Sequence, residues 1–188
     1  MESCQVMISN ITQETCLNCS KTQKTCCYGY PSIPFTLSEI EKIEQKGFKK
    51  KDFIIAGDYT DENLEPHEKW WKESMVKSGK RLLKTNVHVD AVGKCFFLEE
   101  GKGCVLGNDR PAVCKIFPFW IKDDQIYYEP NEGLCPKEKN LSFIKEALSS
   151  LNETEESIKG YYEEIKEDCI NNKKEHEKIL RELYPYEF

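Results

Sequence analysis

Cys16-Leu17-Asn18-Cys19-Ser20-Lys21-Thr22-Gln23-Lys24-Thr25-Cys26-Cys27 is the stretch that decides the architecture. Its opening Cys-x-x-Cys is a two-ligand knuckle: two intervening residues let both thiolates converge on one metal while nearby amides donate to sulfur. No helix or strand periodicity runs through the stretch, so burial of its thiols as small apolar side chains does not account for it. Four thiolates so close in the chain repel one another unless a cation lies between them. The expectation is a loop-rich fold organised by cysteine-bound metal.

Further along come Cys95, Cys104, Cys114 and Cys135. They sit in the settings Cys95-Phe96-Phe97-Leu98, Gly103-Cys104-Val105-Leu106, Arg110-Pro111-Ala112-Val113-Cys114 and Cys135-Pro136. Cys4 and Cys169 complete the 10 cysteines and are expected to be dispensable for metal. Met1-Glu2-Ser3-Cys4-Gln5 lacks the basic then apolar layout of a signal peptide, and a cytoplasmic location is expected. A reducing cytosol disfavours stable disulfides, so this cysteine content points to metal or redox chemistry. All-thiolate ligation suits an iron–sulfur centre and also structural zinc. Zinc sites commonly pair two knuckles and this chain has one; a 4Fe–4S cluster is therefore favoured, with zinc as the alternative. Either two four-cysteine sites or one site with the other thiols free fits the count.

The 188 residues carry 27 Lys plus Arg against 33 Asp plus Glu, a net charge of −6. That balance argues against a general nucleic-acid binder, which needs a basic excess or stripe. No apolar run approaches the roughly 18 residues of a membrane helix, and no membrane partner is expected. Only Arg81, Arg110 and Arg181 are arginine, so each is expected where several donors in one plane are needed. Pro111 pushes Arg110 toward an extended backbone four residues before Cys114. Arg110 is expected to brace that loop, or to face the negative charge of a metal held by thiolates. His67, His88 and His176 are expected to pack or to lie on the surface. No Gly-x-Gly-x-x-Gly or P-loop pattern indicates a nucleotide.

The local signals are uneven. Thr36-Leu37-Ser38-Glu39 is a capping box, followed by Leu37, Ile40 and Ile43 at helical spacing and by Gly47 as a stop. Phe53-Ile54-Ile55 predicts a short buried segment before a turn at Gly57-Asp58. Glu65 to Lys84 reads as a second helix, with one of Trp70 and Trp71 on the core and the other at its rim. Cys95 to Leu98 reads as a strand, with Gly101-Lys102-Gly103 turning into Cys104. Phe117–Lys122 and Gln125–Tyr128 predict a hairpin about Asp123-Asp124. Beyond Lys139 the composition turns helical, and Asn152-Glu153-Thr154 marks a break with a new N-cap, giving a helical hairpin. Its second arm carries Ile158, Tyr162, Ile165, Cys169, Asn172, His176, Ile179 and Leu183 at heptad spacing. That seam is expected to pack along the domain, with a partner-binding or dimer helix as the alternative.

The run from Cys16-x-x-Cys19 and Cys26-Cys27 through Cys95, Cys104, Arg110-Pro111 and Cys114 to Phe117-Pro118-Phe119 resembles the YkgJ-type cysteine-cluster family. That family is described as a zinc- or iron-chelating domain, and its members are often called Fe–S oxidoreductases; the same pattern occurs in flagellin lysine N-methylases. The resemblance covers residues 16–136 and departs from the family pattern in the six-residue gap between Cys19 and Cys26, which is usually shorter. It implies that Cys16, Cys19, Cys26, Cys27, Cys95, Cys104, Cys114 and Cys135 include the metal ligands. The resulting expectation is a small α+β fold, irregular and loop-rich with few short strands, over residues 1–136. A C-terminal helical hairpin over 137–188 packs on it. Its function is that of a redox or cluster-dependent enzyme or accessory protein; a zinc-stabilised binding module with a protein partner on the C-terminal helices is the alternative. A lysine-methylase-like activity rests on analogy alone.

Overall fold

Thr36 starts the first helix as its sequence predicts. The Thr36 hydroxyl accepts from the Glu39 N–H at 3.3 Å, and Glu39 Oε2 accepts from the Thr36 N–H at 2.8 Å. A computed structural model describes residues 27–28, 33–60, 69–128, 144–150 and 152–188. In it the capped helix α1 spans Leu37–Gln45, buries Ile40 and Ile43, and ends before Gly47 at φ +93°. Such a cap is worth about 1 kcal/mol, and each buried isoleucine about 1.5–3 kcal/mol. One turn of helix, α2 (Lys50–Phe53), then leads into strand β1 (Ile54–Tyr59).

Two expectations fail in this region. β1 runs straight through Gly57-Asp58 with no turn, pairing antiparallel with β3 (Arg81–Val87) from Ile54 opposite Val87 to Tyr59 opposite Leu82. Gly57 is required for another reason: the Asn86 amide crosses the space a Cβ would occupy, on its way to the Tyr59 hydroxyl. The helix read from Glu65 to Lys84 is helical, within its described part, only over α3 (Lys69–Glu73). The rest is the hairpin of β2 (Val76–Ser78) with β3, in which Ser78 faces Arg81 across Gly79, at φ +57°, and Lys80. β3 is the central strand of three, in the order β1-β3-β2. With both faces covered, β3 buries Lys84, Thr85 and Asn86 along with Leu83 and Val87, so it shows no apolar–polar alternation to separate a strand from a helix. Trp71 is buried and Trp70 half-buried, the division expected of them.

The middle of the chain is short strands on turns. Cys95 to Leu98 is not a continuous strand: Cys95 makes an isolated bridge to Val89, and only β4 (Leu98–Glu99) pairs with β5 (Gly103–Cys104). The Leu98 N–H closes a turn onto the Cys95 carbonyl at 3.0 Å, which breaks the ladder there. After a 3-10 turn at Gly107–Asp109 comes α4 (Ala112–Ile116). The expected hairpin forms as β6 (Phe119–Lys122) and β7 (Gln125–Tyr128), with Asp123 at φ +50° and Asp124 at φ +59°. Aspartates supply the left-handed pair here, as they can where glycine is absent.

The C-terminal region is a helical hairpin of α5 (Ile144–Ser150) and α6 (Glu155–Asn171), with Thr154 capping α6 through Ser157. The second arm breaks at Asn172, where α7 (Lys173–Leu183) begins. The seam faces inward on both sides of the break: Ile158, Tyr162, Ile165, Cys169, His176 and Ile179 are all buried. No helix among the described residues is long and apolar enough to cross a membrane.

Two apolar cores result. The first gathers Trp71, Met75, Ala112, Ile116, Phe119 and Ile121 against Leu148, Ile158, Tyr162, Ile165 and Cys169. The second gathers Phe35, Ile40, Ile43, Phe53, Ile54, Val87, Cys95, Phe97, Leu98 and Leu106, with Ile179 from α7. Helix α4 lies between them. Its Ala112 and Ile116 belong to the first, Cys114 packs on the second, and Val113 touches both.

Candidate metal centre

Cys27, Cys95, Cys104 and Cys114 reach the second core from four separate pieces of chain. Cys27 is placed by main-chain pairing, since its carbonyl accepts from the Cys95 N–H at 2.8 Å while Tyr28 bridges Lys94. Cys104 ends β5, just after Gly103 at φ +81°. Cys114 is set by the short helix α4, whose start is fixed from outside. Glu39 Oε1 accepts from the Ala112 N–H at 2.5 Å while Oε2 holds the α1 cap. One buried carboxylate thus ties the start of α1 to the helix that carries Cys114.

None of the four is in a disulfide. Burial pushes the Cys95 thiol up to about 12, and the charges of Cys27 and Cys104 add to the rise. The Phe97 and Leu98 amides, in the turn that follows, pull the other way. Burial also lifts Cys114 well above the ordinary thiol range, reinforced by Cys104, Cys95 and Cys27; the Arg110 guanidinium opposes this. The donor set therefore suits a thiolate-binding metal. A cation would relieve the mutual repulsion. Residues Cys27, Cys95, Cys104 and Cys114 would be the ones to hold it on this side of the fold.

The four sulfurs sense one another without closing on a point. Among the described residues, no three of His, Cys, Asp or Glu are gathered in a way that could hold a metal ion. Cys16, Cys19, Cys26 and Cys135, the other expected ligands, lie outside the described residues, as does His67. Arg110 is extended at φ −60°, ψ 152°, the backbone that Pro111 imposes.

Several polar residues escaped the sequence reading. Glu39 was legible as a cap, but its second oxygen reaches Ala112, 73 residues away. Burial raises the Glu39 carboxyl to about 7, against the pull of the Thr36 and Ala112 amides. Asp168 joins the C-terminal helices to the rest. Its Oδ1 accepts from the Leu37 N–H at 2.8 Å and from Asn172 Nδ2 at 2.9 Å; its Oδ2 pairs with His176 Nε2 at 2.7 Å. His176 Nδ1 lies 2.7 Å from the Thr85 hydroxyl. Burial would raise the Asp168 carboxyl, but the bonds from His176, Leu37 and Asn172 outweigh it and hold the group below its ordinary value. The Asn172 and His176 interruption of the apolar seam was the signal for this network.

No curated protein and no solved structure matches the chain. A family model does, over residues 15–136, more than half of the sequence. Its description is "putative zinc- or iron-chelating domain", and the chain follows the pattern its name spells with a longer gap between Cys19 and Cys26. On a match that covers more than half of its sequence, the chain belongs to the CxxCxxCC family.

Proposed function

We propose that this protein carries a thiolate-ligated iron–sulfur centre, of the 4Fe–4S type, and works as a redox or cluster-dependent enzyme or accessory protein. The observation that carries the reading is the surroundings of Cys95. The charges acting on it are those of the Cys27 and Cys104 thiols, and the Phe97 and Leu98 amides favour its ionised form. Thiolates are the ligands of a 4Fe–4S cluster. Neither carboxylate nor imidazole ranks among the leading charges on Cys95 or Cys114. Positive-φ glycines at 101, 103 and 107 let the chain turn around Cys104 in loops. When bound, the cluster would supply one-electron transfer. The chain's residues hold it, shield it with Phe97 and Leu106, and set the charge around it through Arg110.

The test is anaerobic purification after iron-replete expression, with iron, sulfide and zinc quantified. Brown protein with about four irons per cluster is the expected result. Colourless protein with stoichiometric zinc would replace the iron–sulfur reading by a zinc-stabilised binding module.

A further inference from the structure

Outside the metal centre, one buried nucleophile has a partner of unusual type. Lys84, in the middle of the central strand β3, is 2% exposed. Its Nζ donates to Ser74 Oγ at 3.0 Å and to Cys169 Sγ at 3.1 Å, and lies 5.2 Å from the centre of the Trp71 ring. No carboxylate pairs with it among the described residues. Burying an amine in an apolar core is costly unless it is fully partnered, and a leucine or methionine would fill the same space without that cost. Cys169 is itself 3% exposed and belongs to the first core, away from Cys95 and Cys114. Ser74 is held from behind, its hydroxyl donating to the Trp71 carbonyl at 2.7 Å, so the lysine nitrogen is fixed against the sulfur.

We propose that Lys84 and Cys169 form a reversible covalent sulfur–nitrogen latch under peroxide. Hydrogen peroxide oxidises the Cys169 thiol by two electrons. Its O–O bond breaks, one oxygen stays on sulfur as the sulfenic acid, and the other leaves as water. A sulfenic acid condenses with a nitrogen held against it. The Lys84 Nζ lone pair attacks sulfur, the S–N bond forms, and the S–O bond breaks. The hydroxyl departs as water with a proton from the nitrogen. One thiol, one amine and one peroxide thus give one S–N bond and two waters. Two equivalents of an external thiol reverse it, leaving a disulfide and restoring both side chains. Peroxide is little larger than water, and local opening of the α6–β3 contact admits it. The latch spares Cys169 irreversible oxidation and staples α6 to the central strand, across 85 residues of chain. It does not depend on which metal the cysteine cluster holds.

The experiment uses the full chain, treated with graded hydrogen peroxide, digested without reduction and mapped by mass spectrometry. Expected is a linked peptide pair joining Lys84 to Cys169, lighter than the two free peptides together by two hydrogens and released by dithiothreitol. The pair is absent from Cys169→Ala. In Lys84→Met, a substitution of similar volume, Cys169 instead goes on to the sulfinic acid. Cys169 found unlinked in the wild type, whether as free thiol or as sulfinic acid, overturns the proposal. That arm needs no variant to fold. Equal yields of sulfinic acid in the wild type and Lys84→Met would overturn it as well.

Discussion

Two kinds of buried cysteine sit on the two cores of this protein. On the second core, Cys95 and Cys114 face other thiols, and Cys27 and Cys104 raise the cost of ionising both. On the first core, Cys169 faces an amine at 3.1 Å and, among the described residues, is the one cysteine of that core. The difference is one of partners. The thiols of the second core have one another, whereas Cys169 already has a hydrogen-bond donor in the Lys84 amine of β3. Helix α4 touches both regions, so the two chemistries share one mechanical element.

The largest expected effect tests that contrast directly. Cys114→Ser should lose about half or more of the bound metal, while Cys169→Ser keeps its full complement. Metal analysis of both variants after gel filtration checks this, and metal loss in Cys169→Ser with the fold intact would erase the distinction. Next comes the joint between the regions. Asp168→Ala leaves His176 and the Leu37 N–H buried without their acceptor, and should cost about 3 kcal/mol in urea unfolding. The Asp168 carboxyl is depressed in the folded state, so its contribution is present above pH about 4 and fades as pH falls below. A wild-type midpoint unchanged by the substitution would show that α6 and α7 are held by apolar packing alone.

Glu39 gives the opposite pH sign on the cysteine side. Its folded carboxyl titrates at about 7 rather than 4.5, so folding binds a proton there. About 3 kcal/mol present below pH 4.5 is lost as pH rises to about 7, with no further loss above. Glu39→Gln should flatten this slope while leaving one amide N–H facing the new NH₂ group. Urea midpoints of the apoprotein from pH 5 to 8 decide it: equal slopes in both proteins would remove Glu39 from the account. The smallest effect belongs to Arg110→Lys, which keeps the charge but loses the planar donor set. Metal release to a chelator should quicken about threefold. Release at the wild-type rate would leave Arg110 no part in bracing the centre.

Much of the local structure was legible because its causes are local. The Thr36 and Thr154 caps, the Gly47 stop and the Asp123-Asp124 hairpin each depend on residues within one turn of chain. The failures share one cause. β3 is central, so Leu82 to Val87 lacks alternation, and its period matched a buried helix as well as a strand. Gly57 looked like a turn because glycine's other use, making room for Asn86, requires knowing what lies across the sheet.

Sequence alone determined the family, because cysteine spacing is a property of short stretches of chain. Tertiary structure decided which thiols keep company. Cys27, Cys95, Cys104 and Cys114 share one core only because main-chain pairing and a carboxylate 73 residues from its target put them there. Cys169 parts from them because α6 packs on the other core, where β3 presents Lys84. Distances between residues so far apart in the chain are set by packing, and packing is a property of the whole molecule.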